Sequence, residues 1–410
     1  MILNEKKKIF FFYLFLYLTL LVSFFFQENT TGGAEFDFRI ISNAIKSFSN
    51  DLKYTLKNYH LFEISHFPFY YIFLSFFYND YLNFFLIKII ILHLSLFLPF
   101  VFYKLLSFNF DFQNKYLIYI PGILFLSPSY RTSAVWGLND NLALIFLGLS
   151  ILFFLKFSEG KKNKKKIFII LNILFLALAA YLRQYYAIFT IFFLYQILKQ
   201  RDFNILLTYI FTNIILSLPA IFSVYNSSNL NYSLNFFSID FINNFFLILT
   251  IFFIYLIPIY AEKKNVYGLY NFYNKRKILV FLIFFITILL SFFFDYEVNY
   301  GGGIIYKLFY NPQIKYLFYF VAYIAFLLIF HFIYLNYKNN FIIILTLLFM
   351  FPLFHVYQKY LDPLSIILIL CLFKNELITN FINNLRINIK VFYLYFFLIY
   401  IGSLSYRIII

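Results

Sequence analysis

Three acids and a scatter of basic, polar and aromatic side chains interrupt an otherwise apolar chain at positions suited to group transfer. Glu35 and Asp37 follow Gly32–Gly33. A carboxylate placed there could take a proton from a hydroxyl nucleophile. On spacing alone the pair reads equally as two solvated loop acids, and in an extended segment the two would point to opposite faces. Asp140 lies in Trp136–Gly137–Leu138–Asn139–Asp140–Asn141, where a loop enters a strongly apolar run. Asn139 or Asp140 caps that helix, or Asp140 is a second catalytic or orienting acid; the two roles are compatible. Arg183, followed by Gln184 and flanked by Tyr181, Tyr185 and Tyr186, breaks the apolar stretch from Ile167 to Leu198. A guanidinium at that depth either meets a phosphate or carboxylate, which its planar fork suits, or snorkels to the interface. Late in the chain Lys359 and Tyr360 form a polar knot with His355, Tyr357 and Asp362, and Lys307 follows a Gly301–Gly303 turn able to lie against a substrate. His66 stands just before Pro68 at the start of a short amphipathic run, whereas His93 and His331 fall inside apolar runs and read as helix contacts.

No His, Cys or Asp spacing suits a metal, and no glycine-rich phosphate loop or Ser or Cys nucleophile motif stands out. No cofactor and no metal ligands are therefore expected, apart from an ion held jointly by acids of distant loops. The single cysteine, Cys371, can form no intrachain disulfide.

The elements that carry these residues follow from hydropathy. The chain is 63% hydrophobic and 12% charged, and apolar runs of helix-spanning length recur from end to end. The short alternating segments of a membrane β-barrel are missing. The expected fold is all-α: a polytopic transmembrane bundle of about 11–13 spans, forming one domain over 1–410. Helices are expected near 9–26, 84–106, 115–128, 138–157, 166–182, 184–198, 203–223, 241–260, 278–294, 316–336, 341–355, 360–373 and 391–408. Pro121, Pro128 and Pro363 shorten or kink the third and twelfth.

Charge orients the bundle. With the N-terminus cytosolic, 22 of the 33 Lys/Arg fall on the cytosolic side, as the positive-inside rule requires. The net charge of +16 is thus a juxtamembrane feature facing membrane lipids, and nucleic acid is not an expected partner. Lys6–Lys8 and Ile9–Phe26 resemble a signal peptide but lack a small-residue cleavage site, so they read as a retained first helix. Most acids and every polar motif named above then share the non-cytosolic face. Its first loop, 27–83, holds amphipathic runs at Phe38–Phe48 and Phe67–Phe77 that read as interfacial helices. A polar linker is expected at 224–240.

The order of these motifs resembles the C-type (GT-C) polytopic membrane glycosyltransferase superfamily that uses polyprenyl-phosphate sugars. A first helix precedes Glu35–Phe36–Asp37, which leads into an amphipathic segment; the His/Pro/Tyr segment Ser65–His66–Phe67–Pro68–Phe69–Tyr70–Tyr71 follows, then Asp140 opening a helix, an Arg hairpin, and Lys359–Tyr360–Leu361–Asp362–Pro363. Tyr181–Leu182–Arg183–Gln184–Tyr185–Tyr186 is similar to the Phe-Arg-Gln-Thr-Asn motif of the dolichyl-phosphate-glucose α-1,2-glucosyltransferase family, and the Asp295–Lys307 loop faintly resembles its Asp-Asn-Arg-His-Tyr loop. The superfamily's adjacent Asp-Glu is here Glu35–Phe36–Asp37, and its late Arg-Tyr is Lys359–Tyr360.

The resemblance implies a hexosyltransferase in a bacterial inner membrane or the endoplasmic reticulum. It would move a sugar from a polyprenyl (dolichyl or undecaprenyl) phosphate donor to a lipid-linked or cell-surface glycan acceptor, with inversion and without a nucleotide site. It also implies roles: Asp37, with Glu35 second, as catalytic base; Asp140 as orienting acid; and His66, Arg183, Gln184, Lys307, Lys359 and Tyr360 as substrate-binding residues. Two rivals stand beside it. A transporter or lipid flippase would line a path through the bilayer with charge, and a glycan polymerase or ligase would share the general architecture.

Overall fold

In the computed structural model the described residues are 2–409 apart from 63, 65, 80, 82–83, 111–113, 161, 227–238, 298–300 and 351–355. They form helices and turns with no β-strand. Contacts group the chain into two compact units, Met1–Ser233 with Ile399–Ile410, and Leu234–Leu398.

The first unit opens with α1 (Ile2–Phe25). Short helices α2 (Ala34–Asn50), α3 (Leu52–Lys57) and α4 (Phe69–Ser75) follow. α5 (Phe85–Ser95) and α6 (Phe97–Asn109) run on as one apolar length, then come a 3-10 helix at Leu117–Leu126, α7 (Pro128–Trp136), α8 (Asp140–Glu159) and α9 (Lys162–Leu182). A 3-10 turn at Gln184–Ile188 leads to α10 (Phe189–Leu198) and α11 (Phe203–Asn226). The second unit holds α12 (Ile239–Tyr260), α13 (Lys263–Lys275), α14 (Lys277–Ser291), α15 (Gly303–Leu308), α16 (Lys315–Tyr334), α17 (Tyr337–Phe349), α18 (Gln358–Leu361), α19 (Leu364–Cys371), α20 (Glu376–Asn383) and most of α21 (Leu385–Ile409).

Among the described residues eight helices are long and apolar enough to cross a membrane, or nine if the bent pair Gln358–Cys371 and Glu376–Asn383 forms one broken span. Their exposure fits a lipid environment. Only 11% of the most apolar window of Phe203–Ser223 is buried, against 83% for Phe241–Tyr260, so the former presents Phe211, Ile215 and Phe222 outward while the latter is a core helix of its unit. The remaining expected spans are shorter elements. Pro121 lies within the ten-residue Leu117–Leu126, which winds as 3-10 helix. Arg183 breaks the chain before Gln184–Leu198. α14 and α17 run 15 and 13 residues, and α18–α19 turns 89° against α20. The expected linker at 224–240 and His355 lie partly and wholly outside the described residues.

The first loop is helical where an amphipathic segment was expected. α2 buries Phe38, Ile41, Ala44, Ile45 and Phe48 on one side and exposes Glu35, Phe36 and Arg39 on the other. It begins after Gly33, whose φ of 73° suits glycine. The extended reading of Glu35–Asp37 therefore gives way to a helical first turn.

α7 was read as loop, yet its ends are well marked. Ser127 Oγ accepts from Tyr130 N at 3.1 Å, Pro128 occupies the first turn, and Gly137 stops the helix in the left-handed region with φ 67°. It carries Arg131, 3% exposed, against Glu28 just beyond α1. Arg131 donates through Nε and Nη2 to the Glu28 carboxylate at 2.9–3.2 Å, through Nη2 to the Thr19 carbonyl at 3.2 Å and through Nη1 to the Phe125 carbonyl at 3.0 Å. Tyr400 in α21 donates to Glu28 Oε2 at 3.0 Å, and its ring faces Arg131 Cζ at 4.6 Å. These bonds engage both ions, so the pair ties α1, α7 and the end of α21 together.

Arg131→Met is expected to cost about 3–5 kcal/mol because it strands a buried carboxylate. Tyr400→Phe removes one hydrogen bond to a charged group and should cost about 1.5–3 kcal/mol. Denaturant unfolding of the detergent-solubilised chain, followed by circular dichroism, measures both. Losses below about 1 kcal/mol for Arg131→Met would contradict a buried pair.

Candidate functional site

The polar motifs of the first unit converge where α8 begins and α9 ends. α9 keeps its hydrogen bonding up to Arg183, whose N–H donates to Ala179 O at 2.8 Å; the residue itself is extended, with φ −140° and ψ 101°. Asn139 Nδ2 donates to Leu182 O at 2.8 Å and so satisfies one of the carbonyls left open at the end of α9. Asn139 therefore joins two helix termini and makes no side-chain cap on its own helix.

Asp140, in the first turn of α8, meets Arg183 with Oδ1 2.7 Å from Nη2. The residues are 7% and 6% exposed. Arg183 is thus buried and paired, not snorkelling. Its Nη1 lies 2.8 Å from His66 Nε2. Since guanidinium carries donors only, that nitrogen of His66 accepts, and the imidazole is neutral with its proton on Nδ1. The His66 carbonyl accepts from Tyr59 OH at 2.6 Å, fixing the backbone from the other side.

α4 supplies two buried phenols to the same region. Tyr70 OH donates to Gly137 O at 2.6 Å, the turn that leads to Asp140. Burial pushes the Tyr70 hydroxyl up, with Tyr71 and Asp140 adding and Arg183 opposing. Burial likewise raises Tyr71, while Arg183 opposes and Asp37 and Asp140 add. Both hydroxyls are therefore neutral donors at ordinary pH. Asp37, Asp140 and Arg183 all act on Tyr71, which puts the half-exposed Asp37 in the electrostatic neighbourhood of the buried pair. Glu35 is turned away: it is exposed and stands 3.9 Å from Arg39 one helical turn on. Gln184 is half-buried at the start of the 3-10 turn beside Arg183.

Lys307, Lys359 and Tyr360 belong to the second unit, where α15 and α18 are stitched together. Gly302 N donates to Val356 O at 2.9 Å, and Ile304 N to Gln358 Oε1 at 2.8 Å. Lys359 Nζ lies 5.5 and 6.0 Å from the ring centres of Tyr357 and Tyr360. Asp362, 3% exposed, hydrogen-bonds Tyr255. Gly301, Gly302 and Gly303 have φ of 77°, 87° and 73°. A Cβ on Gly301 would stand 2.7 Å from Tyr296 OH and from Val356 O, and one on Gly303 2.7 Å from Ile251 Cγ1. The turn's close approach is therefore to its own chain, where a substrate contact was the expectation.

Tyr70 and Tyr71 end the His/Pro/Tyr segment singled out in the sequence, but neither was expected in this cluster, and Asn139 was read there as a helix cap. His93 and His331 are helix contacts as expected, His93 Nε2 lying 3.1 Å from Tyr17 OH and His331 Nδ1 2.9 Å from Tyr260 OH. Among the described residues no group of three or more His, Cys, Asp or Glu could hold a metal ion. A cavity of about 400 Å³ lined by Phe10, Tyr13, Tyr17, Phe100, Tyr103 and Phe125 is apolar and includes none of the clustered ions. Comparison with protein-family models, curated proteins and solved structures gives no match to this chain.

Asp140→Asn and Arg183→Gln should each cost about 3–5 kcal/mol, since either leaves a buried ion unmatched. The double variant should cost less than the two together, with a coupling of about 0.5–3 kcal/mol. Unfolding of the four proteins in detergent gives the cycle; strictly additive losses would mean that the pair is not an energetic unit.

Proposed function

We propose that the chain is an integral-membrane glycosyltransferase that moves a sugar from a polyprenyl-phosphate donor to a glycan or lipid-linked acceptor on the non-cytosolic face. The observation that carries this reading is the buried Asp140–Arg183–His66 cluster, with Asp37 in its field. It brings together three of the residues that the ordered motifs single out, where two helices suited to a membrane begin and end. In the proposed reaction the acceptor oxygen bonds to the anomeric carbon as that carbon's bond to the lipid-phosphate oxygen breaks, and the bonding pair leaves with the phosphate. Attack from the opposite side inverts the centre. The acceptor proton passes to a carboxylate. Asp37 suits that role because it is half-exposed; Asp140 is committed to Arg183 and orients the cluster. Glu35 becomes the weaker candidate, being fully on the solvent side of α2.

Arg183 enters this reading chiefly as an organiser, since Asp140 and His66 already engage both of its terminal nitrogens. Lys307, Lys359 and Tyr360, all of the second unit, enter this reading only through the ordered motifs. The rival reading, transport or lipid flipping, has one observation of its own: the break between α19 and α20 follows the buried Asp362, and interrupted helices mark many transporter sites.

Membranes containing the chain should transfer label from a polyprenyl-phosphate sugar to a lipid or glycan acceptor. Asp37→Asn should lower turnover by about 10²–10⁴ with donor binding little changed. Transfer only from nucleotide sugars would refute the donor class. Solute or lipid movement in proteoliposomes that survives Asp37→Asn, with no transfer at all, would move the assignment to transport.

A further inference from the structure

Lys88 on α5 has no part in the chemistry above, yet its ammonium is held with unusual care. Nζ lies 4.4 Å from the ring centre of Phe38 and 4.2 Å from that of Trp136. Phe38 and Trp136 are 8% and 6% exposed, Lys88 itself is half-buried, and Glu35 adds a longer-range attraction to the ammonium. Among the described residues no carboxylate lies within ion-pair distance of Nζ. Phe38 adjoins Asp37 on α2. Trp136 ends α7 and adjoins Gly137, where a Cβ would lie 3.6 Å from Phe38 Cε2 and 3.7 Å from Lys88 Cα. Trp136 is fixed from behind, its Nε1 donating at 3.0 Å to the carbonyl of Glu28, the acid that Arg131 and Tyr400 hold.

We propose that Lys88 is a positioning residue that clamps α2, and with it Asp37, against the α7–α8 turn that presents Asp140. The ammonium sits in the corner formed by two rings that also meet edge to face, their centres 6.4 Å apart, and the Arg131–Glu28–Tyr400 network is the anchor behind it. The catalytic part of this inference rests on the transferase reading; the clamp itself does not.

Trp136 is the chain's one tryptophan, so its emission reads this spot alone. In the purified full-length protein, Lys88→Met keeps most of the stem and removes the charge. Amide exchange in 34–50 should rise about tenfold, with 140–159 unchanged and the emission of Trp136 altered. Lys88→Arg, which keeps a cation over the rings, should restore both. If the transferase assay works, Lys88→Met should lower kcat with KM for the donor little changed. Absence of transfer in the unaltered protein would refute the transferase reading and leave the exchange result standing. Unchanged exchange and emission in Lys88→Met would overturn the clamp. A loss of inorganic-phosphate or polyprenyl-phosphate binding, with exchange unaltered, would also overturn it and make Lys88 a ligand-binding residue.

Discussion

A guanidinium shut away from water among apolar helices has to be met by an anion, and the way Arg183 is met governs the first unit. Leaving such a charge unpaired costs several kcal/mol. Asp140 at 2.7 Å answers it, and can do so only if α8 starts where α9 stops. The Asn139 amide on Leu182 O closes the remaining backbone acceptor at that junction. His66 then takes the second terminal nitrogen, which draws the segment before α4 to the same place. One buried charge thus sets the register of a helix start, a helix end and a loop.

The two buried Arg–acid pairs of this unit illustrate different uses of one chemistry. Arg131 and Glu28 are surrounded by acceptors and donors from α1, α7 and Tyr400, all of which bond to the pair itself. That is the profile of a structural tie. Arg183 and Asp140 share their surroundings with a neutral imidazole, two phenols and the half-exposed Asp37. It is in these mixed surroundings that the proposed reaction would receive the acceptor hydroxyl.

Much of the fold was legible because hydropathy dictates it: a bilayer leaves the backbone no choice but internal hydrogen bonding, and the long apolar runs became helices. Boundaries set by single residues were less so. The 3-10 winding around Pro121 and the break at Arg183 depend on local geometry that run length does not report. α7 was missed because its body, Ser129–Tyr130–Arg131–Thr132–Ser133, is polar; its start at Ser127–Pro128 and stop at Gly137 were nevertheless readable as cap residues. Arg183 and Asp140 were both singled out from the sequence, but their pairing was not, since the long stretch of chain between them carries no spacing signal. Glu28 with Arg131, and Lys88 with its two rings, are contacts between distant segments and left still less trace. The glycines at 301–303 show the opposite failure: the backbone conformation was legible, but what crowds against it was not.

Pairing also limits what Arg183 can do chemically. A cation 2.7 Å from its counter-ion acts at a distance as a dipole, whose field falls off faster than that of a lone charge. Such a pair is poorly suited to neutralising a phosphate several ångströms away. It is well suited to holding hydrogen-bonding groups in fixed directions, because both partners lose their freedom together. In the proposed transferase the cluster would act by geometry more than by charge, and the proton-accepting step would fall to a carboxylate outside it. Asp37 would be that carboxylate, on α2 and one residue from the ring that Lys88 meets, so the proposed chemistry would depend on how firmly α2 is held.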